Sequence, residues 1–514
     1  MRNEKSQLKI GVILNYINIG LGNLIPIFYT PIMLNLLGTS EYGLYKLSSS
    51  VTSYLSLMSL GIGAAVTRYL IKYRTMNDKE GEEKILGLFM VIFQFIAIIT
   101  FIVGTFLTMN LDVWYSQSLT NVQLFRMRII VFIMVCNMSI SFAISPYISV
   151  VNAHEKFVFQ QWMNILSTCV APIVNVIVLL KGFASIGMVV SSLIIQVIVQ
   201  FGYLVYVRNC LKIRAIYKDL PLKYIKEILV FSFWVFLSNI VAQLYNATDV
   251  VMIGAVPTLA TVGTAVYSVG TTLNNIANTM AMGMTGMLSP KIYRLVFSKV
   301  SVKELTDFSI KIGRIQSYII SLIVSGFVAF GQPFIYFYAG KDYKEAYWVA
   351  AFIMIPNMIP LIQSTCLNII IAQNRHRFRS IIYLIIAIIN VIGTWIMMQY
   401  MGIVGAALVT GICLFVGQGV IMDWYYWRKI HLNIPRFWKE VGKVFVIPIL
   451  LCSITMVIAK YVSFYRISTM VGGIVVYTLF FGILNWKFVM NKYEKKLCSD
   501  FFNRFFRYKE TNYE

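Results

Sequence analysis

Five charges stand in stretches with few other charged residues. Glu41 and Lys46 lie in "LLGTSEYGLYKL" at 36–47, Arg126 and Arg128 begin the run "RMRIIVFIMV", and Asp249 lies in "NATDVVMIG". A cation at the edge of a low-dielectric region can draw a phosphate, or pair with a carboxylate that would otherwise be costly to bury. Carboxamides add a second kind of chemistry. Asn15 and Asn18, with Gly22 and Thr30, mark roughly one helical face, and Asn23 stands beside it; Asn239, Gln243 and Asn246 follow at spacings of four and three. Such stripes turn toward the protein interior or toward water. Two readings stay open for them: hydrogen bonds between helices, or a hydrated cavity suited to sugar hydroxyls. Neither set forms a nucleophile and base pair or a metal cluster, and His154, His376 and His431 read as solvated loop residues beside basic neighbours.

The elements that must carry these side chains are membrane helices. Hydrophobic residues make up 58% of the chain and charged ones 13%, with a mean hydropathy of +0.74. A spanning helix needs about 20 apolar residues, and about fourteen such runs occur: 10–37, 44–67, 85–108, 126–151, 157–180, 183–207, 227–253, 261–288, 315–338, 347–371, 380–400, 403–427, 444–463 and 468–486. The expectation is an all-α polytopic membrane protein with no soluble domain. The net charge of +23 is a matter of topology. With the N-terminus cytoplasmic, all but eight of the 44 Lys and Arg fall on the inner side, the eight being Lys46, Arg126, Arg128, Lys181, Lys341, Lys344, Lys460 and Arg466. The positive-inside rule then places both termini in the cytoplasm and leaves the basic residues to lipid head groups rather than nucleic acid. The first span reads as a retained helix, not a cleaved signal. The seven cysteines suggest neither a disulfide framework nor a metal site.

The chain also repeats itself. Gly38 matches Gly254, "GLYKLSSS" at 43 matches "AVYSVGTT" at 265, "AHEKF" at 153 resembles "AQNRHRF" at 372, and "SIGMVVSSLI" at 185 resembles "IVGAALVTGI" at 403. The offsets are about 216, 222, 219 and 218, which is six spans. An even number returns the second copy to the membrane in the same orientation, so the repeat is parallel, and transporters built this way hold substrate between their halves. The expected organisation is an N-lobe at 1–207, a cytoplasmic linker at 208–226, a C-lobe at 227–429, two further spans within 430–490, and a basic amphipathic cytoplasmic tail at 491–514 that carries Phe501, Phe502, Phe505 and Phe506.

"LLGTSEYGLYKL", "LGIGAAVTRYLIKYR", "NATDVVMIG", "AHEKF" and "AQNRHRF" together resemble the polysaccharide-transport flippases of the MATE/MOP exporter superfamily. The resemblance implies a V-shaped pair of six-helix lobes with two extra C-terminal helices, in a bacterial cytoplasmic membrane. It implies movement of an undecaprenyl-pyrophosphate-linked oligosaccharide by alternating access, with no cofactor and with proton or sodium coupling open. Membrane lipids, a polysaccharide polymerase and glycosyltransferases are the partners it implies. In that fold the first, second, seventh and eighth spans line the cleft. Lys46 and Asp249 are therefore expected to pair when the outer side is closed, with Lys46, Arg126 or Arg128 drawing the pyrophosphate when it opens. Arg68 and Arg294 are either snorkelling anchors or a cytoplasmic phosphate site. The last two spans are expected to form an apolar groove for the prenyl tail. A MATE-type drug or cation antiporter and a lipid II flippase are the alternatives. A membrane enzyme is disfavoured because the outer connections are short, and the longest, 109–124, offers only Asp112.

Overall fold

The computed structural model describes the backbone of residues 2–298, 300–373, 375 and 377–500, and these contain helices and connections but no strand. The first half holds α1 (Arg2–Ser53), α2 (Gly63–Thr75), α3 (Lys79–Met109), α4 (Leu111–Tyr115), α5 (Asn121–Ala153), α6 (Phe157–Leu180), α7 (Ala184–Tyr206) and α8 (Ile225–Ala255). The second holds α9 (Ala260–Phe297), α10 (Val302–Tyr338), α11 (Ala346–Ile362), α12 (Ser364–Ala372), α13 (Arg377–Leu414), α14 (Met422–Arg428), α15 (Ile434–Ile458) and α16 (Ile467–Leu484). Side-chain oxygens start several of them. Thr120 and Gln123 form a reciprocal capping box on α5, and Asp78 and Asn433 cap α3 and α15. Each bonds a backbone N–H that has no partner within its helix.

Among the described residues, nine helical stretches are long and apolar enough to cross a membrane, or eleven if two bent pairs each count as one span. Two of the stretches contain a glycine kink. Gly38 in α1 has φ 74° and ψ 168°, and Gly402 in α13 has φ 59° and ψ −144°. Side chains with a Cβ resist these angles, so the chain breaks at glycine. Each kink falls between two expected spans, and α9 covers the expected eighth, which is consistent with fourteen. The 49° bend between α11 and α12 follows Pro356 and Pro360, where the helix loses backbone donors.

Close contacts divide the chain into unit 1, residues 1–269 and 383–406, and unit 2, residues 270–382 and 407–514. Unit 1 has two apolar cores. One gathers Tyr69, Phe89, Phe93 and Val150, and the other Leu44, Leu47, Tyr115 and Met127. The expected linker is packed into the first of these. Ile213 is buried there, the amides of Arg214 and Ile216 donate to the carboxylate and carbonyl of Glu83, and a Cβ on Gly87 would stand 1.9 Å from the Ile216 carbonyl oxygen. Unit 2 is centred on Phe330, Leu451, Phe464, Tyr477 and Phe481, contributed by α10, α15, α16 and the loop before α16.

Matched packing marks the repeat. Phe159 stacks on Tyr206 with ring centroids 3.8 Å apart, and Phe378 stacks on Tyr425 at 4.4 Å, each pair with 9° between ring planes. Both members of the second pair lie 219 residues after their counterparts in the first.

Two charged contacts depart from the solvated loops and tail that composition suggests. His154 meets Glu82 at 2.6 Å, and Glu82 is buried, so "AHEKF" is docked onto the start of α3. His376 lies outside the described residues. In unit 2, the Arg314 guanidinium holds the Glu494 carboxylate through Nε at 2.6 Å and Nη2 at 3.0 Å, and both side chains are buried. Arg314 also donates to the carbonyls of Glu440 and Val489, and Glu494 accepts from Tyr318 and from the Asn491 amide. A fully bonded pair of this kind fixes the start of the expected tail to α10. The four tail phenylalanines lie outside the described residues.

Candidate functional site

The charges singled out from sequence converge on one end of unit 1, beside the Gly38 kink. Glu41 begins the second segment of α1 and is only 14% exposed. Its carboxylate takes the Arg126 guanidinium at 2.9 Å and the hydroxyl of the fully buried Ser185. Arg128 pairs with Asp112. Both arginines expected to wait for a phosphate are therefore engaged by carboxylates. Hydrogen bonds continue across the same end: Gln123 donates to Ser40 at 3.0 Å, Ser40 meets Thr261 at 3.2 Å, and Thr264 donates to the Gly43 carbonyl at 3.2 Å. Gly43 itself is helical. A Cβ there would stand 1.8 Å from the Thr261 carbonyl oxygen, so this glycine is needed for close approach and not for a turn.

The expected Lys46 to Asp249 pair is not formed. Asp249 is buried and accepts from the Tyr267 hydroxyl, while the Lys46 ammonium lies 5.4 Å from the centroid of the Tyr42 ring, one helical turn back. No carboxylate pairs with Lys46 among the described residues. Tyr42 and Tyr267 are both fully buried aromatic side chains. Aromatic rings with a polar tip satisfy charges that a reading restricted to charged residues assigned to one another.

The carboxamides part company. Asn18 donates to Gln161 at 3.5 Å and accepts from Thr168 at 3.3 Å, tying α1 to α6, whereas Asn23 donates to the Ile19 carbonyl of its own helix. Gln243 donates to Ser53, and Tyr54 meets Thr248, so α8 is bonded to the end of α1 and the turn after it. Asn15 is half-buried with no polar partner among the described residues, and Asn239 is exposed. The side chain of Asn246 lies outside the described residues. Arg68 and Arg294 are exposed.

Two apolar grooves are found among the described residues of unit 2. One, of about 300 Å³, runs between α9, α10 and α16 and is lined by Leu273, Met280, Phe327, Phe330, Ile474 and Tyr477. The other, of about 500 Å³, lies between α11, the end of α13 and α15, closed at one edge by Trp438, whose Nε1 donates to Asp423 at 2.6 Å. Of these two grooves, the last two long helices thus line one each. Among the described residues no group of three His, Cys, Asp or Glu could hold a metal ion.

The fold has solved counterparts. A structure of the lipid II flippase MurJ in an inward closed conformation superposes with a TM-score of 0.69 over 93% of this chain and 99% of that one, at 16% identity. An inward-facing multidrug resistance MATE transporter of the MOP superfamily gives 0.64 over 85% of this chain and 99% of that one, at 14% identity. The Vibrio cholerae MATE transporter VcmN in its bent form gives 0.54 over 85% and 99%, also at 14%. No curated protein sequence matches the chain. Residues 8–286 match the family described as polysaccharide biosynthesis protein. The helical membrane architecture, the internal repeat and that match, which spans more than half of the sequence, place this chain in the polysaccharide biosynthesis protein family, with the fold of MOP-superfamily transporters.

Proposed function

We propose that the protein moves a prenyl-pyrophosphate-linked oligosaccharide across a bacterial cytoplasmic membrane by alternating access, as a transporter without covalent catalysis. The observation that carries this reading is the apolar groove between α9, α10 and α16, together with family membership. A prenyl tail must stay in an apolar medium throughout the transfer, and this groove offers it apolar contacts that a soluble cation does not require. Lys46, which no carboxylate pairs among the described residues, supplies positive charge for the anionic head. The network from Glu41 to Thr264 ties the elements at its end of unit 1 together, and Arg126 and Arg128 contribute ion pairs there. Proton or sodium coupling, cytoplasmic termini and cooperation with a polymerase and glycosyltransferases belong to the same reading.

Gly326 lines the groove, and a Cβ built there meets nothing within 4 Å. Gly326→Phe therefore starts a ring into the groove from a position where its Cβ is unobstructed. In proteoliposomes carrying a fluorescent prenyl-pyrophosphate oligosaccharide, it should abolish flipping while leaving expression and thermal stability near wild type. Wild-type flipping by Gly326→Phe would refute the groove as the path of the tail.

A further inference from the structure

Unit 2 contains a second polar feature that none of the charge arguments touches. Asn357 of α11 donates through Nδ2 to Asn278 Oδ1 at 2.6 Å and to Asn274 Oδ1 at 3.4 Å, both on α9. Asn274 is buried, and Asn278 and Asn357 are half-buried, in surroundings that are otherwise apolar. Three carboxamides bring six N–H donors and three acceptor oxygens, and the two bonds among them use only a small part of that capacity. Whichever way each amide is turned, donors and at least one acceptor are left over.

A small cavity of about 10 Å³ opens between Asn274, Asn278, Ile320, Val324 and Leu361, which is roughly the space of one water or hydroxyl oxygen. Its wall shares Ala277, Ile323 and Met354 with the apolar groove of α9, α10 and α16. The cavity with its carboxamides therefore adjoins the groove across these three side chains, while the groove's own lining holds none of the three asparagines.

We propose that Asn274, Asn278 and Asn357 form a binding subsite for a hydroxyl group of a neutral sugar ring. The match is one of hydrogen-bond type. A hydroxyl both donates and accepts, as the spare capacity of the triad does. A phosphate only accepts, so it would leave the spare acceptor facing an anion, with no cation from the triad to offset it. This assignment rests on the lipid-linked oligosaccharide reading and adds to it a sugar contact in unit 2.

The test uses the full chain in lipid nanodiscs, titrated by native mass spectrometry with dodecyl β-glucoside, dodecanol and dodecyl phosphate. Wild type should bind the glucoside about tenfold more tightly than the alcohol. Asn278→Leu and Asn357→Leu should lose that preference while still binding dodecanol, and Gly326→Phe should lose both ligands. Asn357→Ser, smaller and still able to donate and accept, should also lose the preference, because its hydroxyl falls short of Asn278; it covers the case in which the leucine variants do not fold. An undiminished sugar preference in the asparagine variants, with both tails lost in Gly326→Phe, would overturn the triad and leave the lipid groove standing. A preference for dodecyl phosphate that the asparagine variants remove would overturn the neutral-sugar assignment. If wild type bound no tail at all, the lipid reading would fail and take the triad with it.

Discussion

Gly43→Ala is a small change with a large local demand. Gly43 lies in a helical segment, where alanine is favoured over glycine by about 1 kcal/mol, so helix propensity alone predicts stabilisation. The packing predicts the reverse. The new methyl would stand 1.8 Å from the carbonyl oxygen of Thr261 and 2.9 Å from the Thr264 hydroxyl. Ordinary contact begins near 3.4 Å, so α1 and the start of α9 must separate by about 1.6 Å. The obstructing atom is backbone and cannot rotate away, and overpacking of this kind costs typically about 1–3 kcal/mol. Separation also stretches the Thr264 to Gly43 bond and the Ser40 to Thr261 contact, both 3.2 Å. The assay is disulfide formation between cysteines at Ser40→Cys and Thr261→Cys on an otherwise cysteine-free chain. The pair should cross-link readily with glycine at 43 and several-fold more slowly with alanine. Equal cross-linking rates and equal melting temperatures in the two backgrounds would show that the close approach of Gly43 to Thr261 does not hold this end together.

Three further outcomes follow from the buried polar contacts. Arg126 is 46% exposed, so its ion pair with Glu41 is worth at most about 1 kcal/mol; Glu41→Ala also strands the fully buried Ser185 hydroxyl, at about 1–3 kcal/mol. Differential scanning fluorimetry should therefore show a larger loss of stability for Glu41→Ala than for Arg126→Ala, and the reverse order would contradict the assignment. Arg314→Met leaves Glu494 as an unpaired buried charge and should cost about 3–5 kcal/mol, most of it recovered when Glu494→Leu is added; a double variant no better than the single one would argue against the pair. Burial pushes the Glu494 carboxyl up, but the bonds from Arg314 and from the Asn491 amide outweigh it and hold the group below the usual carboxylate range. The contribution of a group lowered in the folded state is complete above the unfolded value of about 4.3 and disappears as pH falls through the lowered value. Acid should thus release the C-terminal segment in wild type below about pH 4.3, an event absent from the Arg314→Met, Glu494→Leu double variant when followed by proteolysis at the C-terminus.

Much of the architecture is legible in the sequence because apolar run length and glycine position are local properties. The expected span at 157–180 coincides with α6, and both kinks that join two expected spans fall on glycine. The partners of the charges are not legible in the same way. Glu41 stands in the same short stretch as Lys46, yet its partners are 85 and 144 residues away, on α5 and α7. Only packing brings them together, and no spacing rule connects them. Lys46 and Asp249 are expected to pair because their spans line the cleft in the resembled fold, but Asp249 accepts instead from Tyr267, whose hydroxyl carries no charge to mark it in the sequence. Arg314 and Glu494 escape a sequence reading for a related reason. One precedes the expected span at 315–338 and the other lies in the basic tail at 491–514, and nothing in a separation of 180 residues signals that they meet.

The repeat explains why some contacts are duplicated and others are not. Phe159 with Tyr206 and Phe378 with Tyr425 occupy equivalent places in the two copies and make the same stack, as expected of packing that both halves need in order to fold. The interior polar residues show a different pattern. Asn357 has an asparagine 220 residues earlier, Asn137, but at the offset of 222 that matches "AVYSVGTT" to "GLYKLSSS" the counterparts of Asn274 and Asn278 are Thr52 and Ser56. The second copy has built a three-carboxamide cluster where the first keeps one asparagine and a short break in the helix at Tyr54–Ser59. The two copies therefore keep in common the ring stack that packs each of them, and differ where polar side chains face the interior: packing needed to fold is repeated, and polar groups not needed for it are free to diverge.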